Sequence, residues 1–475
     1  MISAALGKWL GAGSISAQPL YLVGGTVRDL LLGNSPKDLD LVCKNAKAVA
    51  LDIARRNRAS LVSMEKKPDE PCYRVVAREI PDAFIDLAEM RGKDILEDLQ
   101  QRDFTINAMA MEVSAGGTSA ELIDPMHGAE DIRGKLVRMV SDHTLVSDPL
   151  RILRAIRHAA LLDFSIEEKT LREMHSKAGM LTGVSAERIM VELLLILGAE
   201  RSSCYFRKMD ELGILEVLFP EIVPMKACGQ NGYHHKDVWG HSILVMENTE
   251  HILHDLPGYF GGVSGPVAEN LSAGRTPLLK LASLLHDVGK PATQGVRPDS
   301  RITFYGHDKA GADMVRGISE RLRMPNWSRD FVVRLVAEHL RLLVLSSPGT
   351  RRSAVLRWFR KIRDDAVPVL ILGMADVMGS LGPESGDTYR ESVIAWAAAG
   401  MHDYFSSIKQ KIEAPLLVSG DDLIAMGMEP GIALGNLLYR LRFAQDIGKI
   451  ADREEALCAA REMIRRRSGG KQPIG

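Results

Sequence analysis

Two short stretches of the chain carry residue types at spacings suited to phosphate and metal chemistry. In YLVGGTVRDLLLG an apolar run ends in Gly24-Gly25 and opens a helical pattern that carries Arg28 and Asp29. A glycine pair at a strand-to-helix turn lets backbone N–H groups approach a phosphate, and the start of the following helix favours negative charge. The same pair also serves as a plain packing turn. KDLDLV then sets Asp38 and Asp40 two apart on a short strand, so both carboxylates point to one face and Leu39 points into the core. Paired carboxylates on a rigid strand suit two Mg²⁺ ions about 3.5–4 Å apart, which activate an attacking hydroxyl and neutralise a leaving pyrophosphate. A lone D-x-D also describes a solvated strand end. Its place close after GGTVRD favours the metal reading.

A second constellation lies downstream. His286 and Asp287 are adjacent in LLKLASLLHDVGKP, an apolar helical pattern, with His241 before them in HHKDVWGHSILVMEN and Asp376 after them in LGMADVMG. Imidazole and carboxylate ligands together suit a borderline divalent metal with open positions for water. A buried histidine paired with a carboxylate for structure alone is the competing reading for any one of these residues.

The elements that must hold these residues change character along the chain. To about residue 140, β-type runs (YLVGG, LDLV, FIDLAEM, NAMAMEV, LVRMV) mix with helical patterns. From Asp148 onward DPLRILRAIRHAALL and AERIMVELLLILGAE show the three- and four-residue spacing of helices. Pro257 to Pro277, with GYFGGVSGP inside it, reads as a long loop inserted in a helical domain, and SLGPESGDTYR as a further break. A basic tail, RRRSGGKQPIG, ends the sequence.

Composition sets limits on the partners. With 475 residues and 46% hydrophobic content, several domains are expected. Lys and Arg number 60 against 61 for Asp and Glu, so any nucleic-acid surface must be a local patch. Cys43, Cys72, Cys204, Cys228 and Cys458 are scattered without a C-x-x-C pair, which excludes a zinc finger or disulfide framework. No run approaches the roughly 20 apolar residues of a membrane span, and no signal peptide is evident. A cytoplasmic protein without membrane contact is the expectation.

In order, VGGTVRDLLLG, DLD, QRDFTINAMAM and DPLRILRAIRH resemble the class II tRNA nucleotidyltransferase and poly(A) polymerase family over about residues 20–200. The resemblance implies an α+β chain: a polymerase-β-like nucleotidyltransferase head (1–140), a helical neck (141–230), an HD-type metal-binding domain (231–385) and a helical body and tail for tRNA (386–475). It implies addition of C or A, from CTP or ATP, to the tRNA 3′ end. Gly24, Gly25 and Arg28 would contact triphosphate, Asp38 and Asp40 would hold Mg²⁺, and Asp86 would stand beside them as a third carboxylate. Arg102, Asp103 and Asn107 match the family's sugar and phosphate contacts, with Gln101 in place of a usual arginine. Asp148, Arg151 and Arg154 match its base-reading and triphosphate residues, with Ser147 where glutamate is common. A carboxylate accepting from an exocyclic amine and a guanidinium donating to a ring nitrogen would select cytosine and adenine. Asp148-Pro149 is equally a helix cap, and Asp148/Arg151 a surface pair.

His241, His286, Asp287 and Asp376 resemble the HD phosphohydrolase family over about residues 230–385, which implies a divalent Ni, Co or Mn site, with His307 and His339 for a second ion. Asp237, Lys290, His234 and His235 are less firmly placed. In the tail, Arg440, Arg442 and Arg465 to Arg467 are phosphate contacts or solvated charges. CCA-adding members usually carry a flexible loop between the third-carboxylate strand and the R-D-F-T-I-N-A motif. Here EMRGKDILEDLQ leaves little room for it, so restricted, CC-type addition is expected, with A-only addition, polyadenylation, or a replacement lever at Lys66 to Pro71 as alternatives. An HD-domain nucleotide hydrolase with a nucleotide-binding head, or an RNA-binding scaffold, completes the set of alternatives.

Overall fold

The structure is a computed structural model that describes residue 9 and residues 18–36, 38–64, 71–77, 84–114, 117–230, 236–381 and 386–468. The chain divides into two compact units, Met1–Pro220 and Glu221–Gly475.

In the first unit β1 (Leu20–Val23), β2 (Leu39–Cys43), β3 (Ser60–Met64), β4 (Cys72–Val76), β5 (Phe84–Glu89), β6 (Ala110–Ser114) and β7 (Gly117–Ile123) form one sheet in the order β3-β4-β5-β2-β1-β6-β7. Only β2 and β5 run parallel, in register Leu39↔Ile85, Asp40↔Asp86 and Leu41↔Leu87. Strand alternation therefore puts four buried aliphatic side chains on one face and the two carboxylates on the other. The helix Ala46–Arg56 packs on β4 and β5 with Ala46, Val49, Ala50, Ile53 and Ala54 buried, the spacing of a single apolar stripe.

A seven-residue helix, Gly25–Leu31, leaves β1 through Gly24, whose φ of +66° suits glycine. The neck follows as expected: Arg151–Leu162 buries Ile152, Leu153, Ile156 and Ala159, and packs against Ala186–Leu197.

The second unit is helical. Val238–His254, Arg275–Leu285, Asn326–Glu338 and Ala366–Gly379 pack together, and Ala366–Gly379 buries every residue except Met378. The segment from Pro257 to Pro277 is not the expected loop. It forms helices at Leu256–Phe260 and Ser264–Leu271 and enters the helix Arg275–Leu285. Each proline sits in a first turn, where its missing N–H has no helical partner to lose, and Asp255 caps the first helix by accepting from the Gly258 N–H at 3.0 Å. Gly261 (φ +51°) and Gly274 (φ +81°) make the corners between them. The tail helices Gly420–Ala425, Ile432–Asp446 and Arg453–Ser468 close on Val418, Leu423, Leu437, Leu441, Ile450, Ala456 and Ala460. His234, His235, residues 66–70 and the last seven residues lie outside the described part of the chain.

Gly128 opens the helix Gly128–Arg133 hard against the turn Thr105–Asn107, where a Cβ would stand 2.1 Å from the Thr105 carbonyl oxygen. Backbone has no rotamer to escape into, so Gly128→Ala is expected to destabilise the first unit by about 1–3 kcal/mol, the range of an overpacked core. A lowered urea midpoint with an unchanged slope checks this.

Candidate active site and metal centre

Thr26 joins the glycine turn to the carboxylate strand. Its hydroxyl donates to the Asp38 carbonyl at 3.0 Å and accepts from the Asp40 N–H at 2.8 Å. The turn and Asp40 face a cavity of about 330 Å³ lined also by Asp86, Arg91, Arg102, Asp103, Asn107, Arg151 and Arg154. Asp38 stands just outside β2 and is exposed. A Cβ on Gly24 would stand 3.1 Å from an Arg102 guanidinium nitrogen and 3.7 Å from an Asp40 oxygen, so glycine lets the guanidinium and the carboxylate approach the turn.

Burial, then the Asp86 charge, pushes the Asp40 carboxyl up to about 6, against the pull of Arg102. A buried carboxylate in this state gains from a cation beside it. Asp86 does stand beside Asp40 in register, but its two oxygens accept from Arg74 at 2.8 and 2.7 Å. It is thus already paired within the sheet, and Arg74 in turn lies over the Phe84 ring at 3.8 Å.

Behind the cavity runs a connected polar chain. Arg28 donates to the Asn107 side-chain Oδ1 at 2.9 Å, and the Asn107 side-chain Nδ2 contacts Asp103 and His158, each at 3.2 Å. Arg154 pairs with Asp103 at 2.7 Å. Burial raises the Asp103 carboxyl, yet Arg154, with Arg151 and the Asn107 hydrogen bond, outweighs it and holds it well below the usual carboxylate range. Burial and the neighbouring Arg157 keep His158 neutral, and Arg157 itself pairs with Glu192 at 3.1 Å.

Two expectations need correction. Asp148 and Arg151 each have another partner than the surface pair offered as one reading. Asp148 binds Arg188 at 2.7 Å, and Arg151 donates to the Thr144 carbonyl, the Ser147 hydroxyl and the Gln101 carbonyl at 3.2, 3.1 and 3.0 Å. Asp148 follows the short helix Thr144–Ser147 in extended backbone, and the next helix starts only at Arg151. In the tail, Arg442 is buried and donates to the Lys411 and Ile412 carbonyls at 3.2 and 2.6 Å, whereas Arg440, Arg465 and Arg466 are exposed.

Thr26, Arg74 and Arg188 belong to these arrangements, as does Asp98, which accepts from Arg102 at 2.9 Å, and these four carried no distinguishing signal in the sequence. His158 falls four residues after Arg154 on one helix face, and that spacing alone pointed to it.

In the second unit His286 and Asp287 stand just past the end of the helix Arg275–Leu285 rather than within it. His241 reaches Asp376 at 2.9 Å, His286 reaches Asp287 at 3.1 Å and Asp376 at 3.7 Å, and His307 and His339 lie 3.3 and 3.7 Å from the other Asp287 oxygen. The Nδ1 atoms of His286, His307 and His339 donate to the Ser283, Phe304 and Val336 carbonyls. Those bonds orient each ring and turn its Nε2 toward the carboxylates.

Two groups result, His241-His286-Asp376 and Asp287-His307-His339, with ligand atoms within 4.8 Å in each. Burial opposes charge on His286, but Asp287 and Asp376 push it up to about 10, while burial and His286 push His339 down to about 4. Buried donors of this kind, aimed at common points, fit divalent cations. Lys290 pairs with Asp287 at 2.6 Å and donates to Gln230 at 2.6 Å, while Asp237 caps the helix Val238–His254 and lies outside both groups. No helix among the described residues is long and apolar enough to cross a membrane.

Comparison with known proteins follows the same division. The model "Poly A polymerase head domain" matches residues 20–138, "Probable RNA and SrmB- binding site of polymerase A" residues 163–225, and "HD domain" residues 238–377. The A-adding tRNA nucleotidyltransferase of Deinococcus radiodurans is 31% identical over 92% of this chain and 93% of its own length. The CC-adding tRNA nucleotidyltransferase of Thermus thermophilus is 31% identical over 92% of each. The Thermotoga maritima CCA-adding enzyme, solved in complex with tRNA, superposes with a TM-score of 0.59 at 25% identity, covering 94% of this chain and 92% of that one. These relatives match the chain at 31% identity over 92% of its length, and the three models follow one another along it, so the chain belongs to the tRNA nucleotidyltransferase and poly(A) polymerase family.

Proposed function

We propose that the chain extends the 3′ end of tRNA without a nucleic-acid template, using CTP and releasing pyrophosphate, and that it stops at CC. The observation that carries the transferase reading is the cavity in which Asp40 and the glycine turn face Arg102, Arg151 and Arg154. Gly24 and Gly25 give a triphosphate close access to backbone, and Arg28, Arg102 and Arg154 supply charge to bind it. The chemistry that Mg²⁺ supplies at Asp38 and Asp40 is activation of the ribose 3′-hydroxyl and neutralisation of the leaving pyrophosphate. Asn107, held between Arg28, Asp103 and His158 at the cavity, would accept from a ribose hydroxyl through Oδ1.

The restriction to CC rests on the connector between β5 and the helix Ile95–Gln100. It is five residues, Met90 to Asp94, and Asp94 caps the helix by accepting from the Glu97 N–H. Switching a pocket between two bases needs an element with two arrangements. A capped five-residue connector offers little freedom for a second one.

Hydrolysis of a phosphate ester at the HD centre is a second reading, favoured by the cavity of about 700 Å³ that opens on Asp287, His307 and Asp376 and is lined by Lys290, Arg297, Arg301 and Arg390. The histidine and carboxylate set suits Ni, Co or Mn.

Asp38→Ala or Asp40→Ala is expected to abolish addition while circular dichroism stays that of the wild type, because neither side chain packs in the core. Wild-type incorporation by either variant removes the mechanism. Sequencing products from tRNA that lacks CCA, with CTP and ATP both present, is expected to give CC ends; completion to CCA overturns the restricted reading and leaves the transferase intact. The double variant His286→Ala/Asp287→Ala should lose bound transition metal and phosphatase activity yet keep addition, since the two sites lie in separate units. Metal analysis that finds no ion in wild-type protein after supplementation with nickel, cobalt or manganese counts against the HD assignment.

A further inference from the structure

The second unit holds a cavity of about 1340 Å³ that none of the assignments above uses. Its walls come from the helices Arg341–Leu345, Arg352–Ile362 and Ile432–Asp446 and from the segment between Tyr404 and Leu416. Eight arginine and lysine side chains line it, against two acids, Asp364 and Glu413. Several of the cations are anchored from behind: Glu338 accepts from Lys361 at 2.5 Å and from Arg341 at 3.2 Å, and Asp364 accepts from Lys409 at 2.8 Å. Arg351 and Arg363 are exposed and make no side-chain hydrogen bond or ion pair among the described residues. Asp446 is shared by Arg360 and Arg442. Burial and the Arg360 charge, with Arg363 behind them, lower the Arg442 guanidinium from its ordinary value against the pull of Asp446. Positive charge at this wall therefore exceeds what the protein's own acids offset.

The same cavity exposes apolar surface. Val344, Leu416 and Tyr439 line it and each leave about half of their surface exposed. Tyr439 stands one turn before Phe443 on the helix Ile432–Asp446, and the Arg357 guanidinium lies 5.5 Å from the Phe443 ring centre. Arg357 and Tyr439 both line the cavity, a guanidinium and a ring suited to the flat face of a base. We infer that this cavity binds a nucleoside polyphosphate, with the phosphates at Arg363 in the field of Arg360 and Arg442 and the base against Tyr439 and the apolar wall. The site is independent of the transferase reading. A free nucleotide brings negative charge and an unstacked aromatic face together, which is the combination this wall offers to meet. Duplex RNA covers its bases and presents phosphate and sugar, so it leaves the apolar side chains without a partner. The volume lies just above the ~300–1,000 Å³ of small-ligand pockets, which suits one nucleotide with solvent beside it.

The test is photolabelling of the whole chain with 8-azido-ATP, with the labelled peptides located by mass spectrometry so that the head and this cavity are read separately. Saturable labelling is expected on peptides from 341–363 or 432–446, and ATP should displace it. Adenosine and tripolyphosphate should each compete at least ~10-fold less well, since each offers only part of the interactions. Arg363→Gln is expected to weaken labelling there by ~10- to 100-fold, the loss that follows removal of charge-assisted hydrogen bonds, and Arg363→Lys to restore part of it. Labelling confined to the head overturns the inference. So does undiminished labelling of these peptides in Arg363→Gln. Tripolyphosphate that competes as well as ATP overturns it too, because the cavity then reads phosphate alone. Displacement by a tRNA transcript where ATP has no effect makes the cavity part of an RNA surface and likewise removes the nucleotide site.

Discussion

Asp103 is a carboxylate with 5% of its surface exposed, set behind the head cavity, and the surrounding architecture follows from keeping that charge compensated. Removal from water is costly for an ion, so a guanidinium must stand against it wherever the chain supplies one. Arg154 provides it from the neck helix, which ties Arg151–Leu162 to the turn after Arg102 in a single orientation. Asn107 occupies the remaining space and passes the constraint to Arg28 on the helix after the glycine turn. Thr26 on that helix in turn holds Asp40. One buried ion pair thereby links the residues suited to phosphate, ribose and metal, and rotation of the neck helix would disturb all of them together.

The HD centre follows the same principle with the signs reversed in emphasis. Asp287 and Asp376 are carried into a helical core that also buries Thr249, Lys280 and Ser283, and four imidazoles converge on them. The carbonyl acceptors for Nδ1 are set by local backbone: Ser283, Phe304 and Val336 each lie three residues before the histidine they orient. Short-range geometry at a helix end or turn thus orients each ring, and long-range packing brings the rings together.

Much of this was legible in the chain. The Asp38/Asp40 spacing, the strand at FIDLAEM and the helix at ILEDLQ depend on local periodicity, which survives folding because backbone pairing and helical repeat are set by nearest neighbours. The His and Asp residues of the HD centre were named from their order, which resembles the HD family; any one of them alone read equally as a structural pair. The segment Pro257 to Pro277 misled because glycine and proline density signals loops, whereas three prolines in three first turns signal short helices. Composition does not distinguish the two cases; position within the turn does.

By itself the sequence determined which residue types are available for phosphate and metal chemistry, the sheet-then-helix order, and the membership of each motif in its element, since these are properties of short stretches. Tertiary structure alone decided the partners. Asp148 went to Arg188 on a second neck helix, Asp86 to Arg74 on the adjacent strand, and Arg91 with Arg151 to one carbonyl at Gln101. In each case several candidates of the right charge were present in the chain. Which of them lay within hydrogen-bond reach depended on strand register and helix packing between segments distant in sequence, and those are set by burial of the whole apolar surface rather than by any local pattern.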